Sequence, residues 1–328
     1  MTGKLRHGGD IDAAAKAFGT PAHGWLDLST GINPVSYPVG SEIAEVWRRL
    51  PTASDEARLL VAARACYGVP EDAGIVAAPG TQAIIQWLPV APAACRVQIL
   101  GPTYEEHAKS WSDRGHSVEI IDDIKSADAD VVIVVNPNNP DGRTVPPAAL
   151  LETADRLAAH GGVLIVDEAF ADVAPETSVT PETGRPGLLV LRSFGKFFGL
   201  AGLRLGFAVS TEFDTELLKH ALGPWAVAGP ALGIGARALA DMDWQEKTRK
   251  RLTGDAKRLD ELLTGAGMGI VGGTSLYRLA RSADAPAIHE KLGRAGIMVR
   301  MFDGNPEWLR FGLPGTDRDW KRLERALD

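Results

Sequence analysis

Five short apolar runs, each ending in turn residues or polar side chains, follow one another along the chain: AGIVAAPG, CRVQILGPTY, ADVVIVVNPNNPDG, GGVLIVDEAF and GLLVLRSFGK. They are rich in β-branched residues, and helical patterns alternate with them. DEARLLVAARACYG carries Leu59, Leu60, Ala63 and Cys66 at helical spacing and closes on Gly68, while PAALLETADRLAAHGG is an amphipathic helix ended by glycines. This alternation predicts an α/β fold, a large doubly wound, mixed but mostly parallel sheet with helices on both faces. Ligands of such sheets lie beyond the carboxyl ends of the strands, which makes the polar tails the candidate site. After about Gly223 the pattern changes to a helix-rich stretch, then short strands (TSLYRLA, GIMVRMF, WLRFGL) and a closing helix, which predicts a smaller α+β domain. The expected division is an N-terminal arm at 1–39 that joins the small domain, a large domain at 40–223 and a small C-terminal domain at 224–328.

Composition narrows the partner. The 328 residues are 45% hydrophobic, enough for sizeable cores, and the net charge of −7 with no dense Lys/Arg block argues against nucleic acid or an anionic membrane. A small molecule is the expected partner. Cys66 and Cys95 lie far apart without CxxC or Cys/His clustering, so neither a disulfide framework nor a metal site is indicated. No apolar run approaches membrane-spanning length and the first residues lack the apolar core of a signal peptide, which predicts a cytoplasmic protein.

The tails read as follows. PGTQAIIQWL places Gly80, Thr81 and Gln82 at a helix start behind a strand, where backbone N–H groups and the helix dipole suit a phosphate, although a plain cap explains the same residues. In VVNPNNPDGR, Asn136, Asn138 and Asn139 end a strand before a turn, either as turn formers or as amides offered to a ligand. VLIVDEAF leaves Asp167 at a buried strand tip, where a carboxylate needs a cationic or hydrogen-bonding partner. An ATPase metal carboxylate fits the same pattern, but the chain has no GxxxxGK[ST] loop. SFGKFFGLAGLRLG sets Lys196 among phenylalanines and Arg204 eight residues on. A buried lysine of lowered pKa is a nucleophile for an aldehyde, and Arg204 can hold a phosphate bidentately. An aldehyde, a phosphate and a ring nitrogen opposite a buried Asp describe pyridoxal 5′-phosphate.

With these motifs in hand, the chain resembles the aspartate-aminotransferase superfamily, the fold type I enzymes of pyridoxal phosphate. NP-[TD]-G, D-x-A-[YF], S-x-x-K and the following arginine appear in order, and the resemblance runs from about Leu26 to the carboxyl end. It implies that Lys196 bonds the cofactor and moves protons, that Asp167 pairs with the pyridine nitrogen and that Tyr104 of GPTYEEH stacks on the ring. Asn139 and Phe170 flank the ring oxygen, and Gly80, Thr81, Gln82, Ser193 and Arg204 hold the cofactor phosphate. Arg310 of WLRFGLP takes the place of the arginine for the substrate carboxylate.

Within the superfamily, RHGGDIDAAAKAFGTPAHGWLDLSTGINP is similar to the start of the threonine-phosphate decarboxylases of the cobalamin pathway, with HGG followed by D-x-S-x-x-INP. That similarity implies decarboxylation of L-threonine O-3-phosphate, with His7, Gly8, Gly9, Asn33 and Arg300 near the substrate phosphate. It also implies a homodimer. Three positions depart from the family pattern. Phe170 stands where a tyrosine is common, Leu50 precedes Pro51 where many relatives have tyrosine, and Ala228 replaces the amide expected in PW-x-V-N. A histidinol-phosphate-like aminotransferase is the leading alternative. A non-catalytic regulator that binds the cofactor is another.

Overall fold

A computed structural model describes residues 8–40, 46–90 and 93–328. The chain divides into two compact units. The smaller comprises the described residues up to Ser36, Pro140–Gly142 and Glu246–Asp328; the larger comprises Tyr37–Asn139 and Arg143–Gln245, so far as described.

In chain order, α1 (Ile11–Phe18) and β1 (Leu26–Asp27) belong to the smaller unit. The larger unit follows with α2 (Ala53–Tyr67), β2 (Ala73–Ala78), α3 (Thr81–Trp87), β3 (Arg96–Leu100), α4 (Glu105–Ser112), β4 (Ser117–Ile121) and β5 (Val131–Val135). It continues with α5 (Pro147–Ala158), β6 (Val163–Asp167), β7 (Leu188–Ser193), β8 (Gly206–Thr211), α6 (Glu212–Leu222) and α7 (Gly229–Ala240). After α8 (Met242–Gly265), the smaller unit is completed by β9 (Gly269–Thr274), β10 (Tyr277–Arg281), α9 (Ala285–Arg294), β11 (Ile297–Met298), β12 (Arg300–Phe302), β13 (Asn305–Gly312) and α10 (Asp317–Leu327). Among the described residues no helix is long and apolar enough to cross a membrane.

The seven strands of the larger unit lie in the order β2-β8-β7-β6-β5-β3-β4. β8 runs antiparallel to both neighbours, and the remaining pairs are parallel. Every residue of β5, VVIVV, is buried, as a parallel strand covered on both faces must be. Alternate residues feed two cores: Val132, Val134, Val166 and Val190 pack with Leu150, Ala154 and Leu157 of α5, while Ile133, Ile165 and Leu191 pack with Ile84, Ile85 and Trp111. The doubly wound reading therefore holds, with β4 and β8 added to the five strands legible in the sequence.

Local chemistry fixes the helix ends. Thr52 and Asp55 form a reciprocal capping box at the start of α2, and Gly68 ends it in the left-handed conformation at φ 66°. The change of domain expected near residue 224 falls instead at Glu246. Its reason is the packing of α7, where a Cβ on Gly235 would stand 2.6 Å from Leu205 and 2.8 Å from Leu59, so that the helix lies flush on the large unit. The smaller unit has a four-stranded antiparallel sheet, β12-β13-β10-β9, and a separate parallel pairing of β1 with β11.

Candidate active site

In the larger unit Asp167 ends β6 and Lys196 lies in the loop after β7. The loop after β7 is held by Phe194, Phe197 and Phe198, all fully buried, with Phe194 stacked on Phe198 at 4.4 Å and Phe197 edge-on to Phe198 at 5.1 Å. These rings explain the aromatic setting of Lys196. They anchor the turn, whereas the lysine itself is half-buried, less enclosed than the sequence predicts, with Nζ 5.8 Å from the centroid of buried Phe170.

Asp167 ends β6 with 3% of its surface exposed, and both carboxylate oxygens are engaged. Oδ2 lies 2.9 Å from Nε2 of His107, itself 1% exposed, and Oδ1 accepts the Ala169 N–H at 3.0 Å. The partner required by a buried carboxylate is thus a histidine that the sequence reading missed. His107 sits three residues after Tyr104 on the same helix face, and the two rings meet edge-on at 6.0 Å. The i, i+3 spacing of two ring residues behind a strand was the available signal. Tyr104 donates its hydroxyl to Gln82 Oε1 at 3.1 Å, and the Gln82 amide donates to Glu106 at 3.0 Å.

Several close backbone approaches converge on Gly80. This residue has φ +86°, and a Cβ on it would lie 2.6 Å from Nη2 of Arg204. No side chain caps the helix that Gly80 precedes, so the first N–H groups of α3 keep no capping partner. Gly206 pairs with Ser193 across β7 and β8, and a Cβ there would stand 2.6 Å from the Thr81 nitrogen. Gly80, Thr81, Ser193 and Arg204 are therefore brought together by close backbone approach, with the Arg204 guanidinium exposed and steered by Ala201 O at 3.1 Å. Of the three asparagines, Asn136 bonds Val145 and Thr177, and Asn138 accepts from Thr103 Oγ1 at 2.6 Å and donates to Pro102 O. Those two tie loops to strand ends. Half-buried Asn139 follows them.

In the smaller unit Arg310 on β13 is 7% exposed and stands directly opposite Arg300 of β12 in the antiparallel register. Its Nη2 donates to Ser29 O at 2.8 Å, and its guanidinium carbon lies 5.1 Å from the ring of fully buried Tyr277. Burial pushes the Arg310 pKa down to about 10, and Arg300 adds to the fall while Asp27 opposes it. Gly8 and Gly9 approach Ser29: a Cβ on Gly8 would meet Ser29 O at 2.3 Å, and Gly9 has φ +85°. Asn33 is 2% exposed; its Oδ1 accepts from Val35 N at 3.0 Å and from Arg251 Nη2 at 2.7 Å, an Asx turn braced by α8. His7 lies outside the described residues.

The departures from pattern have visible consequences. Phe170 contributes no hydroxyl, Leu50 is 61% exposed, and Ala228 starts α7 without a side-chain cap.

A model of the family described as aminotransferase class I and II matches residues 49–327. Over 98% of the chain and 97% of the relative, the protein is 42% identical to the threonine-phosphate decarboxylase of Pseudomonas aeruginosa. It is 44% identical to the threonine-phosphate decarboxylase of a Sinorhizobium species, over 100% of the chain and 98% of the relative. The fold is similar to that of the histidinol-phosphate aminotransferase of Sinorhizobium meliloti, solved in complex with pyridoxal-5′-phosphate, with a TM-score of 0.81 and 18% identity over 99% of this chain and 94% of that one.

Proposed function

Because the chain belongs to the class I and II aminotransferase family, we propose that it is a pyridoxal-phosphate-dependent decarboxylase that converts L-threonine O-3-phosphate into (R)-1-aminopropan-2-yl phosphate for cobalamin biosynthesis. The cofactor fits residues of this chain. Gly80 and Gly206 leave space that a Cβ would fill, Arg204 and the start of α3 offer donors to a phosphate, and Asp167 is a buried carboxylate at the strand tip nearest the lysine loop.

When bound, the cofactor supplies an aldehyde carbon for an amine and a ring that accepts the electron pair released from a Cα bond. Lys196 provides the amine that holds it and carries a proton to the substrate Cα. Asp167, steadied at Oδ2 by His107, keeps a proton on the ring nitrogen. Tyr104 covers the ring, and Thr81, Ser193 and Arg204 bind the cofactor phosphate. Phe170 packs without donating a hydrogen bond to the ring oxygen.

The observation that carries the substrate assignment is the opposed pair Arg300 and Arg310, two cations face to face across a strand pair with one of them buried. Like charges so placed repel, and a substrate with two anionic groups relieves the repulsion. Arg310 takes the carboxylate and Arg300 the phosphate. By fixing both anionic groups the two arginines orient the substrate, and selection between loss of CO₂ and loss of the Cα proton depends on that orientation.

The assay that tests this reading incubates cofactor-loaded protein with threonine phosphate and follows CO₂ and the phosphorylated amino alcohol. Both should form in equal amounts. Amino transfer to 2-oxoglutarate without CO₂ identifies the aminotransferase instead.

The protein acts as a cytoplasmic homodimer in this reading. Trp47, Leu50, Phe213 and Trp225 of the larger unit are 60 to 72% exposed, apolar side chains that a second copy would cover. Sedimentation equilibrium at twice the chain mass of 34.9 kDa checks the dimer.

A further inference from the structure

The D-x-S stretch has no role in the chemistry above, yet it joins the two anion-related elements of the smaller unit. We propose that Asp27 and Ser29 are positioning residues: they latch the Gly8–Gly9 loop and Arg310 to one backbone segment, so that the substrate's anionic groups meet a preset arginine. This rests on the assignment of Arg310 to substrate.

The latch is a chain of oriented hydrogen bonds. Asp27 Oδ1 accepts the Ser29 N–H at 2.8 Å and the Ser29 hydroxyl at 2.5 Å. With its proton committed to Asp27, Ser29 Oγ turns a lone pair outward and accepts the Gly9 N–H at 2.7 Å. The Ser29 carbonyl accepts from Arg310 Nη2 at 2.8 Å. Every polar group of Ser29 is therefore engaged, and the residue is 2% exposed. Neighbouring backbone fixes the segment on both sides, since Leu28 N–H donates to Met298 O at 2.8 Å and Leu28 O accepts from Gly312 N–H at 2.6 Å.

The same geometry gives the HGG motif a different meaning from a phosphate cradle. Gly9 N–H is engaged by Ser29, and the Ala13 N–H in the first turn of α1 is capped by Asp10 Oδ1 at 2.9 Å. Gly8 is required because any Cβ would strike Ser29 O, and Gly9 because of its positive φ. The two glycines are shaped to fit Ser29.

Asp27 also acts on Arg310 through charge, raising a pKa that burial and Arg300 lower. Charge and latch make opposite predictions for two variants. Ser29→Ala loses the hydroxyl and loosens the segment whose carbonyl orients Arg310; its KM for threonine phosphate and its inhibition constant for propionate, a carboxylate without an amine, should both rise about tenfold, the worth of one hydrogen bond, with kcat within about twofold. Asp27→Asn keeps an Oδ1 that accepts both bonds but removes a negative charge, so propionate should inhibit more strongly. Ser29→Thr keeps the hydroxyl and should restore the wild-type constants. Cofactor affinity and the cofactor absorbance band should be unchanged in all three variants.

Calorimetric titration of the cofactor-loaded wild type and Ser29→Ala with propionate tests the latch even if the wild type fails to release CO₂, so the two readings fail separately. Equal propionate affinity in the wild type and a folded Ser29→Ala protein overturns the proposal, as does a Ser29→Ala variant whose loss appears in kcat or cofactor affinity alone.

Discussion

Arg300 and Arg310 occupy directly opposed positions on β12 and β13, two permanent cations side by side with one of them buried. Such a pair lowers the stability of the empty protein in exchange for anion affinity. Arg300→Met should therefore leave the melting temperature of the ligand-free protein equal or raise it by the equivalent of about 0.5 kcal/mol. Inorganic phosphate should raise the melting temperature of the cofactor-loaded wild type by mass action and leave the cofactor-loaded variant nearly unmoved. Thermal denaturation with and without phosphate checks both. A variant destabilised without ligand and still protected by phosphate contradicts the assignment.

Gly80 makes a second prediction about the larger unit. Alanine there must adopt φ +86° and push away the Arg204 guanidinium, whose Nη2 would be 2.6 Å from the new Cβ. The backbone strain costs about 1–3 kcal/mol in urea unfolding of the cofactor-free protein. Cofactor affinity, followed by fluorescence titration, should fall at least about tenfold because the phosphate loses its arginine.

Most of the sheet was legible because parallel strands buried on both faces need unbroken apolar runs, as β5 shows. β4 was not, since SVEII at the sheet edge is largely exposed and carries no clear period. β8 was hidden because its first residue, Gly206, belongs to the arginine motif and reads as loop. Residues 224–245 were given to the small domain because nothing local announces that Gly235 rests on Leu59 and Leu205. Lys196, Asp167 and Arg204 stand out in the sequence by motif spacing. His107 and Ser29 were missed because each acquires its role from a partner distant in sequence, 60 residues for His107 and Asp167, and 281 for Ser29 and Arg310.

Asp55 sets an acid limit on the larger unit. Hydrogen bonds from Arg49 at 2.5 and 3.1 Å, then those from Thr52, hold its carboxyl well below the usual range. A folded pKa below the unfolded value of about 3.9 means that the stabilisation is fully present above that pH and is lost as pH falls through it toward the folded pKa. Asp55→Asn should accordingly melt below the wild type at pH 7, and the difference should shrink as the pH drops under about 4. A difference that stays constant down to pH 3 assigns the stability to the shape of the capping box rather than to charge.

The contact between His107 and Asp167 gives the sharpest separation of donor from bulk. Both side chains are at most 4% exposed and 2.9 Å apart, so His107→Ala strands one carboxylate oxygen in the core. Leaving a buried acceptor unpaired costs about 1–3 kcal/mol, more for a charged one, and the variant should lose at least that in urea unfolding of the cofactor-free protein. Glutamine can present an amide N–H near the place of Nε2, so His107→Gln should recover most of the stability. Since the carboxylate loses one of the two contacts that orient it, His107→Ala should also move the cofactor absorbance band, a change His107→Gln should largely reverse. Equal stability and an unmoved band in His107→Ala would show that Asp167 draws its partner from elsewhere, and the role given to His107 would fall with it.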